Sequence, residues 1–383
     1  MKIAFLTPEY PHQKTGSSGG IGTSIKSLAA GLLSQGHQAR VLVYGQTEED
    51  LFDDNGIIVQ KIKNVKFKGL SWWLTRKKLE HLINSLFAQN EIDLIEAPDW
   101  TGITSLIQPE ACPVVIRLNG SDTYFCHLDK RPVKWWNKFH EKRALIKANG
   151  LISVSNYTAQ LTQKLFDIKD TFTVIPNGIN SEQFMPNHHQ VVPNRILYFG
   201  ALIRKKGVLE LPGVMNALYK LNPDTEMVLI GKDVPDILTN SLSTWALMQP
   251  LFDAEVLTRV HYMHSVPFAE IKSHIEQASV CVFPSFAEAF PLSWLEAMAM
   301  EKAIVASNIG WAKEQITDGQ EGFLVDPKEH NLFAQKIDQL LRDKDLSAQF
   351  GSTARQKVLT HFTNEIIAEQ SIEFYQKVRN NEV

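Results

Sequence analysis

The chain has 383 residues, 44% of them hydrophobic and 21% charged, with a net charge of −3. That length suits about two domains, the composition is that of an ordinary globular protein, and the charge supplies no basic field for nucleic acid. Cys112, Cys126 and Cys281 are far apart and fit no metal spacing, so they read as reduced thiols of a cytoplasmic protein; no run approaches the ~20 apolar residues of a membrane span, and the short apolar opening before Pro8 is too brief for a secretory signal.

Residues 3–6 are a continuous apolar run and predict a buried strand. Ile21, Ile25, Leu28, Ala29, Leu32 and Leu33 follow helical spacing, with Gly36 as a stop. Strands are then predicted at 39–44, 92–95, 114–118, 151–154 and 172–175. Unbroken Val/Ile/Leu runs separated by helical segments indicate a parallel sheet covered on both faces. Residues 187–194 are polar, with two histidines and a proline, and read as a linker. The pattern restarts with strands at 195–199, 227–230, 279–283 and 303–306. The tail, 363–379, is amphipathic through Ile366, Ile367, Ile372 and Tyr375. The fold class is α/β: two Rossmann-like, doubly wound domains facing a cleft. An N-terminal domain is expected over 1–186, a C-terminal one over 187–362, and a last helix over 363–383 crossing back to the first.

Ligands of such sheets bind beyond the carboxyl ends of the strands, and three motifs follow strands. Gly16-Ser-Ser-Gly19-Gly20-Ile-Gly22 opens the first helix. Its glycines let backbone N–H groups approach an anion, or make a tight turn only. The dinucleotide fingerprint fails at its third glycine, and the second strand ends on Tyr44-Gly45-Gln46 without an acidic residue, so NAD binding is a weak reading. Gly200-Ala-Leu-Ile-Arg204-Lys205-Lys206-Gly207 places three cations where a diphosphate would sit; the alternative is a solvated basic turn. In the third motif, 283–298, Pro291 is expected at the first helical position. The N–H groups of Leu292 and Ser293 would then face a phosphate. Glu288 lies just before this helix and Glu296 inside it. Paired sugar hydroxyls donate well to carboxylates, so the two could hold two sugars, a hexose and a ribose. Singly, Glu288 is also an ordinary helix-start charge and Glu296 an ordinary surface glutamate.

At these residues the chain resembles the GT-B glycosyltransferases, specifically the retaining glycosyltransferase family 4, over nearly its whole length. Thr7-Pro-Glu-Tyr10 with Gly19-Gly20-Ile-Gly22 is similar to the family's opening. Ile175-Pro-Asn177-Gly178-Ile179 with Phe184 is similar to its signature before the linker. The Glu-x7-Glu pattern at Glu288 and Glu296 is its most specific mark, and 303–326, with Asn308-Ile-Gly310 and Asp318-Gly319, has its cadence. The resemblance implies that Arg204 and Lys206 neutralise the donor diphosphate, that Glu288 holds hydroxyls of the transferred sugar and Glu296 those of the ribose. It places Phe290, Leu292 and Gly200 at donor sugar or phosphate, with Gly19 and Gly20 approaching from the other domain. It implies no bound cofactor or metal, the donor being a UDP- or GDP-type sugar. The sequence departs from the pattern twice: Ala201 stands where many relatives carry Arg, and Asn119 where many carry His. Asparagine cannot serve as a general base but can orient a hydroxyl, which suits front-face retaining transfer, with the leaving phosphate taking the acceptor proton.

Asp99, Trp100, Asp122 and Tyr124 follow N-terminal strands and are acceptor-side candidates, or loop packing. Two stretches, 66–78 with Trp72 and Trp73 and 130–138 with Trp135 and Trp136, alternate aromatic and basic residues as interfacial segments do. They are expected to make peripheral contact with an anionic membrane at the inner face of the plasma membrane, or to be exposed helices with half-buried tryptophans. The expected partners are a nucleotide sugar and a glycan or lipid-linked acceptor, in bacterial-type polysaccharide synthesis, with no nucleic acid. The alternatives are a nucleotide-sugar epimerase on the same architecture and a non-catalytic sugar-nucleotide-binding subunit.

Overall fold

Eight strands make the first sheet: β1 (Lys2–Thr7), β2 (Gln38–Gln46), β3 (Asp50–Asp54), β4 (Ile57–Lys63), β5 (Leu94–Pro98), β6 (Val114–Leu118), β7 (Gly150–Ser153) and β8 (Thr173–Val174). The computed structural model describes residues 1–16 and 18–382, with the backbone alone at 268 and 269. The order is β3-β4-β2-β1-β5-β6-β7-β8, and only β3 runs antiparallel, to β4. Side chains on a strand alternate between faces, and β1 shows the consequence. Ile3 and Phe5 join one core with Leu28, Leu32 and Tyr375, while Ala4 and Leu6 join the other with Leu79, Ile83 and Ile116. A chain buried on both faces has no polar alternation to display, which is why these strands read as continuous apolar runs.

The second sheet holds β9 (Arg195–Phe199), β10 (Glu226–Ile230), β11 (Val260–Met263), β12 (Val280–Phe283), β13 (Ala303–Ser307) and β14 (Phe323–Val325), all parallel, in the order β11-β10-β9-β12-β13-β14. Renumbered from its first strand, this is the doubly wound order 3-2-1-4-5-6. The chain divides into two compact units: Met1–Ile179 with Phe362–Val383, and Asn180–His361. The last helix, Asn364–Arg379, packs in the first unit, where Ile367, Ile372 and Tyr375 enter a core of the first sheet.

The structure corrects the predicted elements in three places. The strand expected at 92–95 lies at Leu94–Pro98. Its Glu96 is buried and paired with Arg117 of β6, Oε1 to Nε at 2.8 Å and Oε2 to Nη2 at 3.1 Å, so an acidic residue continues the strand instead of ending it. Tyr375 donates to the same Glu96 at 2.5 Å, tying the last helix to the sheet. The hairpin β3–β4 was not foreseen. Its turn is Asn55-Gly56, with φ of 55° and 89°, the pair of left-handed residues a two-residue hairpin turn requires. The short strands β11 and β14 were also missed.

Candidate active site

In the second sheet β9 and β12 are neighbours whose connections leave in opposite directions, the switch point where such sheets hold ligands. Both halves of the candidate site start there. β9 ends at Phe199 and Gly200 follows, its N–H donating to Ile230 O at 2.9 Å. Arg204–Lys206 is a single 3-10 turn closed by Gly207 in the left-handed region at φ 67°. A Cβ on Gly207 would lie 1.8 Å from Pro284 O, so only glycine lets this turn abut the loop after β12. The contact is fastened by Lys205 O, which accepts from the N–H of Phe286 at 2.8 Å and of Ala287 at 3.1 Å.

That seam brings Lys206 to Glu288. Lys206 Nζ meets Glu288 Oε1 at 2.6 Å, and Ser285 Oγ donates to the same oxygen at 3.2 Å. Glu288 lies in the loop and Glu296 in the helix Leu292–Ala299. Glu296 is buried, and its carboxylate accepts no hydrogen bond from any described residue. Burial pushes its carboxyl up to about 7, opposed by the Lys206 ammonium. This is not the surface glutamate that its isolated position in sequence would allow. Pro291 is the N-cap, with ψ at 126°, and not the first helical residue as expected. Its carbonyl is held by Gln315 Nε2 at 3.0 Å, which keeps it outside the helix and leaves Leu292 as the first residue of the anion-favouring turn. Phe290 is buried and Leu292 is half-buried.

Arg204 is engaged differently from Lys206. Its guanidinium forks onto Asp236, Nε to Oδ1 at 2.7 Å and Nη2 to Oδ2 at 2.8 Å. That pair, together with Thr239, pulls the Asp236 carboxyl down to about 2. Asp236 is a site residue that the motifs in the sequence do not mark. Its signal was Lys232-Asp-Val-Pro-Asp236 directly after β10, a charged loop at a strand's carboxyl end. The structure therefore brings Lys206, Glu288, Ser285 and Glu296 together around one helix start, with Arg204 and Asp236 paired on the neighbouring loop.

In the first unit, Gly19 N-caps the helix Gly20–Ser34, and both Gly19 and Gly20 are exposed. Ser17 of that motif lies outside the described residues. The N–H of Gly22 donates to Glu9 Oε1 at 3.0 Å, so a carboxylate already shares the positive end of this helix and weakens its pull on a second anion. Asn119 follows β6, half-buried, its N–H donating to Asp99 Oδ1 at 2.9 Å. Asp99 is buried, and its carboxyl is pushed up to about 8 by burial, with Glu141 adding to the rise. Asp99 therefore serves to hold the Asn119 backbone and exposes no carboxylate to an acceptor. Tyr124 is also corrected: it is fully buried, edge-on to Phe125, and has no surface to offer. Asp122 starts the helix Asp122–Leu128, is tied to Asn137 at 2.9 Å and to Arg131 and, like Trp100, is half-buried.

The family model for glycosyl transferases group 1 matches residues 180–357, and that for glycosyltransferase family 4 matches 18–183. An uncharacterized glycosyltransferase of Methanocaldococcus jannaschii is 25% identical over 93% of each chain. Among solved structures, sucrose-phosphate synthase of Thermosynechococcus elongatus superposes with a TM-score of 0.81 at 20% identity, covering 99% of both chains. Anabaena HepE in complex with UDP-glucose superposes with a TM-score of 0.75 at 20% identity, over 98% of this chain and all of the other. At those identities the superpositions establish the fold.

Proposed function

Because the chain is a family 4 glycosyltransferase of the GT-B fold, we propose that it moves a hexose-type sugar, with retention, from a nucleotide-diphosphate donor to a glycan or lipid-linked acceptor in polysaccharide synthesis. The observation that carries this reading is the Lys206–Glu288 ion pair beside the carboxyl of Glu296, to which no described side chain donates. The Glu296 carboxyl keeps a small exposure, and a ligand hydroxyl there would supply a hydrogen bond in place of water. Ribose hydroxyls are suitable donors to Glu296, and hydroxyls of the transferred sugar to Glu288. Lys206, with Arg204 behind it, faces the diphosphate, and the N–H groups at the start of Leu292–Ala299 add to that field. The donor is a UDP- or GDP-type sugar, and UDP-glucose, which Anabaena HepE is in complex with, is the first to test.

In the reaction, the bond between the sugar C1 and the diphosphate oxygen breaks, and the electron pair leaves with the diphosphate. The acceptor oxygen bonds C1 on the same face, and its proton passes to a diphosphate oxygen. Protein groups then have two tasks: stabilising the negative charge that grows on the leaving group, and fixing the acceptor oxygen near C1. Asn119 orients a hydroxyl in this scheme, and Gly19 and Gly20 are exposed glycines whose backbone an anion could approach. The chain acts at a membrane's cytoplasmic face if its acceptor is lipid-linked.

The test is thermal shift and donor hydrolysis across UDP-, GDP- and ADP-sugars, with Glu288→Ala and Lys206→Ala beside the wild type. The expected outcome is stabilisation by one donor class and a loss of about 10²–10³-fold in turnover for each variant, with unfolding still cooperative. Wild-type turnover in either variant removes the site assignment. Conversion of the sugar without any acceptor identifies an epimerase, and binding without turnover a non-catalytic subunit.

A further inference from the structure

Two segments far apart in sequence meet on the surface of the first unit. Trp72, in the first turn of the helix Ser71–Ala88, lies 5.7 Å from Trp136 in the helix Trp135–Lys147. Trp136 in turn touches Trp135 at 5.2 Å and Phe139 at 6.2 Å, all between ring centroids. Trp135 is 71% exposed and Trp136 46%, and Trp73, Phe139, Phe67 and Leu70 are exposed as well. An aromatic cluster this open is unusual in a chain that has cores to bury it in. It is held in place from below. The Arg76 guanidinium stacks on Trp72 at 3.6 Å, and buried His140 lies 4.4 Å from Trp136 and 4.8 Å from Trp72.

The charge around the cluster is one-sided. Residues 66–78 carry five Lys or Arg and 130–138 carry four, and neither stretch has an Asp or Glu. The structure sorts them. Arg76 is buried, Lys77 and Lys78 pair with Glu80 and Glu49, and Arg131 pairs with Asp122 and Asp129. Lys66, Lys68, Lys130, Lys134 and Lys138 are exposed and form no ion pair with any described residue. Lys134 caps the helix that carries Trp135, and Lys138 stands one turn further along it.

We propose that this surface is a docking site for an anionic lipid bilayer. The tryptophan rings would enter the headgroup layer, where an apolar body with a polar N–H is best accommodated. The five lysines would sit over the lipid phosphates. Charge complementarity selects this occupant over a second copy of the chain, since a symmetric contact places the same surface on both partners and would bring the lysines face to face. The inference needs neither donor nor acceptor, so its failure leaves the transferase reading standing.

The test is sedimentation of the full chain with vesicles of phosphatidylcholine and phosphatidylglycerol in equal amounts, against vesicles of phosphatidylcholine alone. Binding to the anionic vesicles only is expected, falling steeply as salt rises to about 1 M, where the screening length is about 3 Å. Lys134→Glu with Lys138→Glu should weaken partitioning about 25-fold or more, at about fivefold for each lysine lost. Trp135→Ala should weaken it about tenfold. Both sites are exposed, so thermal unfolding of the variants should match the wild type and exclude misfolding. The proposal is overturned by no binding at low salt, by equal binding to uncharged vesicles, by variants that bind as the wild type does, or by a dimer in sedimentation velocity that these substitutions dissociate.

Discussion

Replacing Glu296 by glutamine tests whether this carboxyl is kept at a cost to the fold. In the folded chain Glu296 holds its proton up to about 7, whereas an unfolded glutamic acid loses it near 4.5. Between those values the folded state binds more protons, so this group's contribution to stability falls as pH rises through that window. At about 1.4 kcal/mol per tenfold in proton affinity, the full difference is about 3 kcal/mol, most of which should be lost between about pH 5 and about pH 8. Glu296→Gln keeps the shape and removes the titration. The stability of Glu296→Gln relative to the wild type should therefore rise by about 2–3 kcal/mol over that interval. For a unit of this size that is about 5–10 °C in melting temperature. The assay is thermal or urea unfolding of both proteins at the two pH values, and groups common to both cancel in the difference. A difference unchanged between the two pH values refutes the reasoning. The same variant should bind the donor less tightly, because an amide presents one acceptor oxygen and a donor N–H₂ where a carboxylate presents two acceptors. A substitution that stabilises the apo fold while weakening binding is the signature of a functional group.

Two further outcomes follow from the packing. Gly207→Ala puts a Cβ 1.8 Å from Pro284 O at φ 67°; it should cost about 1–3 kcal/mol and blunt the donor-induced thermal shift by displacing Lys206 from Glu288, and a wild-type melting curve with a wild-type donor response would refute it. Arg117→Ala leaves Glu96 charged and buried without its partner, which should cost about 3–5 kcal/mol; urea unfolding reads the loss, and limited proteolysis should cut first near the last helix, which Tyr375 and Ser371 tie to this pair.

How much was legible depends on the range of the interaction that decides each feature. The strand at 114–118 was read to the residue because Val114, Val115, Ile116 and Leu118 are apolar and buried, a local run that outweighs the one charged member, Arg117. The strand at Leu94–Pro98 was misplaced because its middle residue, Glu96, is made tolerable only by Arg117 and Tyr375, the latter 279 positions away. The β3–β4 hairpin carried a readable Asn55-Gly56 turn, but Asp50–Asp54 is acidic and half-exposed and hid the strand before it. In the candidate site, Glu288 and Glu296 could be found from spacing because one loop and one helix carry them. Which cation faces Glu288 could not. Arg204, Lys205 and Lys206 are adjacent and chemically alike in sequence, and only the pairing of the turn with Asp236 and with the loop after β12 separates them.

That separation bears on how the site would work. Arg204 is committed to Asp236, the carbonyl of Lys205 fastens the loop, and Lys206 is paired with Glu288. On the proposed reading a diphosphate does not meet bare cations; it meets cations whose charge is already balanced by carboxylates. Binding then exchanges one anion for another, and the net gain is smaller than that of a naked lysine. The gain grows when the bond to C1 breaks, because the leaving diphosphate acquires negative charge that the neighbouring carboxylates do not. An arrangement of this kind holds ground-state affinity down while keeping the cations oriented for the transition state, and oriented charge of that sort raises turnover instead of merely tightening binding. It also explains why Ala201 is tolerable where relatives carry arginine. On this reading a further fixed cation after Gly200 would add mainly to ground-state attraction, whereas Lys206 already has its charge balanced by Glu288.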